Sequence, residues 1–268
     1  MSWTLAITGK GGVGKSTLAA LAVRWLVERQ RGPVLAVDAD PNTSLDALLG
    51  VKAGCTVGGV REEAKRLAQN DSAGGMGKQE LLDLKTQEAL IEADGFDLIA
   101  MGRPEGPGCY CYANNALRAV LGRLAAHYAS VVIDNEAGLE NLSRRTVQKT
   151  DWLVFVAEPS LRGLTTARKL YDLALEMKIE AAAFGVVVNR VRGGTGASPV
   201  VARARELFAG TPVQCLGGLP EDAELLAHSE TAEPIMSLSS SNPVWHEAGE
   251  MLRRMTGKEA PVPVFPNP

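Results

Sequence analysis

The stretch Gly9-Lys10-Gly11-Gly12-Val13-Gly14-Lys15-Ser16-Thr17 decides how this chain folds. It follows a short apolar run, Thr4 to Thr8, and opens a segment whose apolar residues recur at helical spacing from Leu18 to Glu28. A glycine-rich turn between strand and helix, closing on Gly-Lys-Ser, is the phosphate-loop pattern in the context that it requires. The residues Gly9, Gly11, Gly12, Val13 and Gly14 let successive backbone N–H groups converge on phosphate oxygens where bulkier side chains would obstruct them. The helix N-terminus adds to the same attraction. In this pattern Lys15 reaches the β- and γ-phosphates, Ser16 sets its hydroxyl on Mg²⁺, and Thr17 hydrogen-bonds the α-phosphate. The expected ligands are therefore ATP or ADP with Mg²⁺. Lys10 is an addition to the usual loop, and a second cation there can offset charge that develops during phosphoryl transfer.

Outward from the loop, runs rich in Val, Ile and Leu recur at Val34 to Val37, Phe96 to Ala100, Val131 to Ile133, Leu153 to Val156, Phe184 to Val188 and Val213 to Leu216. Segments of helical spacing separate them, at Asn115 to Tyr128, Thr165 to Met177 and Val200 to Phe208. Uninterrupted apolar strands alternating with helices predict an α/β fold: a mostly parallel central sheet with helices on both faces. The length of 268 residues suits one large domain, expected over 1–255. A tail is expected over 256–268; its stretch 260–268, with proline at nearly every second position, cannot be helical.

In a sheet of this kind ligands gather at the C-terminal strand ends, which makes the acidic ends informative. Val37-Asp38-Ala39-Asp40-Pro41-Asn42 closes the second strand. Asp40, beside the Pro-Asn turn, is expected to position the attacking water, and Asp38 to support loop or Mg²⁺ geometry; a helix cap around Ser44 to Leu49 is the plainer use of one of the two. Val131-Val132-Ile133-Asp134-Asn135-Glu136-Ala137-Gly138 delivers Asp134 towards Mg²⁺, directly or through water, and Gly138 can offer a backbone N–H that senses the γ-phosphate. Asn189 and Arg190 at a late strand end, with Pro220 and Glu221 after the last central strand, are expected around adenine.

Charge and cysteine usage narrow the function classes. A formal net charge of -3 supplies no field for non-specific attraction of nucleic acid. No export signal precedes the first strand and no run reaches the roughly 18 apolar residues of a membrane span, so a cytoplasmic protein without membrane attachment is expected. Cysteines stand at 55, 109, 111 and 215, a spacing unlike a disulfide scaffold. Cys109 and Cys111 can approach one soft metal ion, but a closed thiolate site usually has four ligands. A two-fold axis would turn two into four; a redox pair or buried thiols fit the spacing as well. The dispersed His127, His228 and His246 read as structural, and burial accounts for Cys215 in a core strand.

The phosphate loop with Lys10, the Asp-Ala-Asp-Pro-Asn turn and the segment Asp134 to Gly138 together resemble the deviant Walker A ATPases, a group that includes the cell-division and plasmid-partition ATPases and the nitrogenase iron protein. Within that group, Gly102-Arg103-Pro104-Glu105-Gly106-Pro107-Gly108-Cys109-Tyr110-Cys111-Tyr112 and Leu142-Ser143-Arg144-Arg145-Thr146 are similar to the carbon monoxide dehydrogenase maturation ATPases of the CooC type. The resemblance implies a homodimer in which Lys10 crosses the subunit boundary to the partner's nucleotide. It also implies a shared Cys109/Cys111 site and nickel delivery to the Ni–Fe–S cluster of carbon monoxide dehydrogenase as client. Four thiolates suit Zn²⁺ at least as well as Ni²⁺. The rival expectations are a partition or positioning ATPase, which leaves the cysteines without a role, and an electron-transfer ATPase with an intersubunit iron–sulfur cluster.

Overall fold

The computed structural model of the protein describes residues 2–59, 88–102, 121–122, 124–138, 150–195 and 198–257. Its strands are β1 (Trp3–Gly9), β2 (Val34–Ala39), β3 (Leu90–Ala93), β4 (Phe96–Ala100), β5 (Ser130–Asn135), β6 (Thr150–Ala157), β7 (Ala181–Val191) and β8 (Val213–Pro220). The described helices are α1 (Lys15–Glu28), α2 (Leu45–Leu49), α3 (Leu161–Glu176), α4 (Pro199–Leu207), α5 (Ala223–Thr231) and α6 (Pro243–Thr256). One sheet runs in the order β3-β4-β2-β5-β1-β6-β7-β8. All neighbours are parallel except the β3–β4 pair. The expected α/β architecture is thus the observed one.

Alternation along each strand sorts the side chains to two cores. Leu5 and Ile7 join α1, α2 and α6 on one face, with Trp25, Trp245 and Met251. Ala6, Leu35 and Val37 face the other way, towards α3 and α4, where Phe155 packs with Tyr171 and Phe184. Because both faces are covered, the strands read as continuous apolar runs. α1 is buried from Leu18 to Leu26, since α6 and the turn at Ile235–Ser237 cover the side away from the sheet.

Three elements go beyond the sequence expectation. β3 is a half-exposed edge strand of four residues, joined to β4 by the two-residue turn Asp94-Gly95. α5 starts at Asp222, whose side chain accepts from the Leu225 N–H. α6 starts at Asn242, whose side chain accepts from the Val244 and Trp245 N–H groups, with Pro243 at the first turn. The loop Gln69–Gly77, most of the helix expected over 115–128, and the proline-rich tail from 258 lie outside the described residues.

Candidate functional site

Parallel pairing brings the C-terminal ends of seven strands to one rim, and the expected nucleotide residues lie along it. β1 sits between β5 and β6, and β2 lies beyond β5. Ile7 pairs with Asp134, and Asp134 pairs with Asp38. Gly9 pairs with Val156, which places Glu158 beside the phosphate loop.

The loop turns at Gly12 and Gly14, with φ of 77° and 95°, and Gly14 is the N-cap of α1. A Cβ at Gly14 would fall 2.2 Å from the Asn189 amide nitrogen, so this position excludes any side chain twice over, by conformation and by space. Lys15 is buried at 7% exposure. Ser16 and Ser44 hydroxyls stand 3.0 Å apart, linking the start of α1 to the start of α2.

The aspartates divide their work. Asp38 is buried and accepts three backbone N–H bonds, from Asp40 at 3.0 Å, Ser44 at 2.8 Å and Leu45 at 3.0 Å. It shapes the loop and caps α2 as a side chain from outside the helix. Burial raises its carboxyl and those three bonds pull the other way. Asp40, half-buried, accepts from the Asn42 N–H at 2.8 Å and the Asn42 side-chain amide at 3.1 Å, which fixes the turn after β2.

Asp134 is also fully buried, with the Ser16 hydroxyl near it; among the described residues no group meets either of its oxygens, or the Oδ1 atom of Asn135 next to it, in good hydrogen-bond geometry. Burial raises the Asp134 carboxyl to about 7; the nearby Ser16 hydroxyl and Lys15 ammonium lower it, and Asp38 and Asp40 raise it. Buried acceptors beside a hydroxyl and a phosphate loop are the groups that a cation satisfies. The residues present therefore fit Mg²⁺ with a nucleotide: the Asp134 carboxylate and the Ser16 hydroxyl, with phosphate oxygens from the nucleotide, would form an all-oxygen donor set.

Gly138 lies against the loop with φ of 99°. Its N–H donates to the Gly9 carbonyl at 3.3 Å, and its carbonyl accepts from the Thr8 hydroxyl at 2.5 Å. Lys10 is 56% exposed in its side chain, with its ammonium 3.3 Å from a Glu158 carboxylate oxygen. In the single chain this lysine thus pairs with its own subunit.

Asn189, expected at the base, meets the phosphate loop in this structure. Its amide donates to the Val13 carbonyl at 2.8 Å, and its oxygen accepts from the Arg190 N–H at 2.9 Å. Arg190 is exposed, with φ of 57°. A cleft of about 620 Å³ opens beside it, lined by Glu158, Ser160, Arg192, Ser198 and Glu221 among others. Arg192 and Glu221 close one side as an ion pair at 2.9 Å; Pro220 is half-buried before Glu221. Thr8, Ser44 and Glu158 were not singled out in the sequence. Only the strand register shows Glu158, whereas Ser44 carried the signal of a residue preceding a helix.

Cys109 and Cys111, with Tyr110, Tyr112, Asn115 and the segment Leu142–Thr146, lie outside the described residues. Among the described residues no group of three or more His, Cys, Asp or Glu side chains could hold a metal ion, and no helix is long and apolar enough to cross a membrane. Cys55 is exposed. Cys215, on β8, is half-buried, which raises its thiol. His127 and His246 are exposed; His228 is buried 3.5 Å from Glu233.

Comparison with known proteins agrees with this geometry. Residues 4–235 match the model of the CobQ/CobB/MinD/ParA nucleotide binding domain. An ATP-binding protein of Methanocaldococcus jannaschii is 38% identical over 256 residues, 95% of this chain and 99% of that protein. The carbon monoxide dehydrogenase accessory protein CooC of Rhodospirillum rubrum is 29% identical over 246 residues, 88% and 90% of the two chains. The septum site-determining protein MinD of Pyrococcus horikoshii, solved with Mg-ADP, superposes with a TM-score of 0.67 at 20% identity, covering 95% of this chain and 96% of that one.

Proposed function

Because this chain belongs to the CobQ/CobB/MinD/ParA nucleotide-binding family, we propose that it works as an ATP-driven dimeric switch of the partition and positioning kind. It is an ATP-hydrolysing phosphate-loop enzyme. The observation that carries the dimeric reading is Lys10. A lysine serving only its own nucleotide would be drawn in as Lys15 is, at 7% exposure. Lys10 instead stands 56% exposed on the rim, held by a surface pair with Glu158. Such a pair is worth about 0–1 kcal/mol and opens readily, leaving Lys10 free to meet phosphate on a second copy.

In this reading Lys15, Ser16 and Asp134 hold the metal–nucleotide complex, with Thr17 at the α-phosphate. Mg²⁺ supplies neutralisation of the charge that builds on phosphate oxygens during transfer. Asp40 orients water, Asp38 keeps the loop around it in shape, and Gly138 reports the γ-phosphate. Arg190, Pro220 and Glu221 take the base at the cleft rim. The test is mass in solution with ADP and with a non-hydrolysable ATP analogue. A dimer with the analogue only, lost in Lys10→Ala, supports the switch; a monomer in every state with wild-type hydrolysis by Lys10→Ala overturns it.

A second reading assigns the switch a metal cargo, nickel for carbon monoxide dehydrogenase. It draws on the likeness to the Rhodospirillum rubrum accessory protein and on Cys109 and Cys111 in the sequence. Native mass spectrometry of anaerobically purified protein with Ni²⁺ or Zn²⁺ tests it. One ion per dimer, absent in the double Cys→Ser variant, supports it. Iron and sulfide with visible absorbance point instead to an intersubunit cluster, and a dimer with no cysteine-dependent metal removes the cargo and leaves the switch.

A further inference from the structure

Three hydrogen bonds join the end of β5 and the segment after it to β1, and the one from Thr8 has no part in nucleotide binding as described above. The Asn135 amide donates to the Ile7 carbonyl at 2.9 Å, the Gly138 N–H to the Gly9 carbonyl at 3.3 Å, and the Thr8 hydroxyl to the Gly138 carbonyl at 2.5 Å. Thr8 is fully buried at the end of β1, two residues before Lys10.

The two bonds at Gly138 are unequal. An O–H···O bond of 2.5 Å lies at the short, strong end of its range, whereas 3.3 Å is beyond the roughly 3.2 Å limit of a good N–H···O bond. With φ of 99°, Gly138 turns both its groups to the same strand, and among the described residues no atom stands within 4 Å of where a Cβ would be. Its N–H thus has a weak partner that it can exchange, and its carbonyl a strong partner.

We propose that Thr8 is the positioning residue of the nucleotide switch: its hydroxyl pins the Gly138 carbonyl as a pivot, and the weakly held Gly138 N–H leaves the Gly9 carbonyl for a γ-phosphate oxygen. The inference rests on the reading of Gly138 as the γ-phosphate reporter. A phosphate-loop movement is then carried to the segment after β5 through one side chain, without passing through Mg²⁺. Among the described residues Gly138 is the partner of this buried hydroxyl, which makes the coupling reciprocal.

Thr8→Val keeps the shape of the side chain and removes the bond; Thr8→Ser restores it. Two readouts apply: affinity for ADP and for a non-hydrolysable ATP analogue, and hydrogen exchange of the amides of residues 136–138 in the apo, ADP and analogue states. Thr8→Val is expected to bind ADP within about twofold of wild type and the analogue about tenfold more weakly, the range of one lost hydrogen bond. Its 136–138 amides exchange faster in the apo protein and gain no protection from the analogue, while Thr8→Ser behaves as wild type. A Thr8→Val protein with the wild-type ratio of analogue to ADP affinity and wild-type exchange overturns the proposal. If wild type itself shows the same exchange with ADP and analogue, the γ-phosphate reading fails and the inference falls with it. Should Thr8→Val not fold, Thr8→Ala removes the same hydroxyl with a smaller side chain; the same loss of ratio is expected, and a wild-type ratio there overturns the pivot.

Discussion

Asp38 and Asp134 lie directly opposite each other on neighbouring strands, both wholly buried, yet one carboxylate receives three backbone N–H bonds and, among the described residues, the other receives none. Two buried carboxylates in register destabilise each other as anions. Asp38 is stabilised from within the fold by the turn that it organises. Asp134 is left to be stabilised from outside, beside Ser16 and the phosphate loop. The contrast separates a residue that shapes the site from one that waits for its ligand.

Replacing Asp134 by Asn is expected to stabilise the empty protein while abolishing Mg²⁺-dependent nucleotide binding. The folded-state pKa of Asp134 is raised from 3.8 to about 7. Its contribution to stability is therefore fully present below about pH 4 and lost as pH rises through 7. Above pH 7 the buried anion destabilises the empty fold by a few kcal/mol, on the scale of about 1.4 kcal/mol per pKa unit. Melting curves of the empty protein between pH 5 and 8 should fall for wild type and stay flat for Asp134→Asn, and Mg²⁺ with ADP should raise only the wild type. Parallel curves for the two proteins would contradict the burial argument.

Asp38→Ala should act in the opposite sense. Three buried or half-buried N–H groups lose their acceptor at once, each left unpaired at about 1–3 kcal/mol. Water reaching Asp40 and Ser44 recovers part of that loss. A fall of several degrees in melting temperature is expected, together with faster hydrogen exchange over residues 40–45. An unchanged melting temperature would mean that the turn is held by other contacts, such as the Asp40–Asn42 bonds.

How far these roles were legible in the sequence depends on range. The phosphate loop, the seven central strands and the acidic strand ends are written in contiguous residues whose local pattern suffices. β3 was missed because Leu90-Ile91-Glu92-Ala93 is too short and half-exposed to show a period, though the Asp94-Gly95 turn marks its hairpin. Glu158 and Thr8 matter through partners 148 and 130 residues away, and only sheet order supplies those. Asn189 shows the limit from the other side. Its place at a strand end was readable, but whether its amide meets a base or a carbonyl depends on how closely β7 approaches the loop.

Lys10→Ala should leave the fold and monomeric ADP binding intact. The residue is mostly exposed and its Glu158 pair lies at the surface, so a stability change under about 1 kcal/mol is expected. Hydrolysis should fall steeply, and with it the analogue-dependent dimer. The comparison is between thermal shift, which should not move, and ATP turnover, which should. A large drop in melting temperature would instead make the Lys10–Glu158 pair part of the monomer's core architecture.

Asn189→Ala separates a brace from a base reader. As placed, the side chain donates to the Val13 carbonyl and fills the space above Gly14, so its loss loosens the phosphate cradle itself. Every nucleotide uses that cradle. ATP and GTP should then weaken together, by about fivefold to tenfold for one buried hydrogen bond, with the preference between the bases unchanged. If the amide turns to adenine when nucleotide binds, ATP alone should weaken and GTP should hold its affinity. Titration of both nucleotides against wild type and variant, at one Mg²⁺ concentration, decides between a residue that shapes the loop and one that chooses the base.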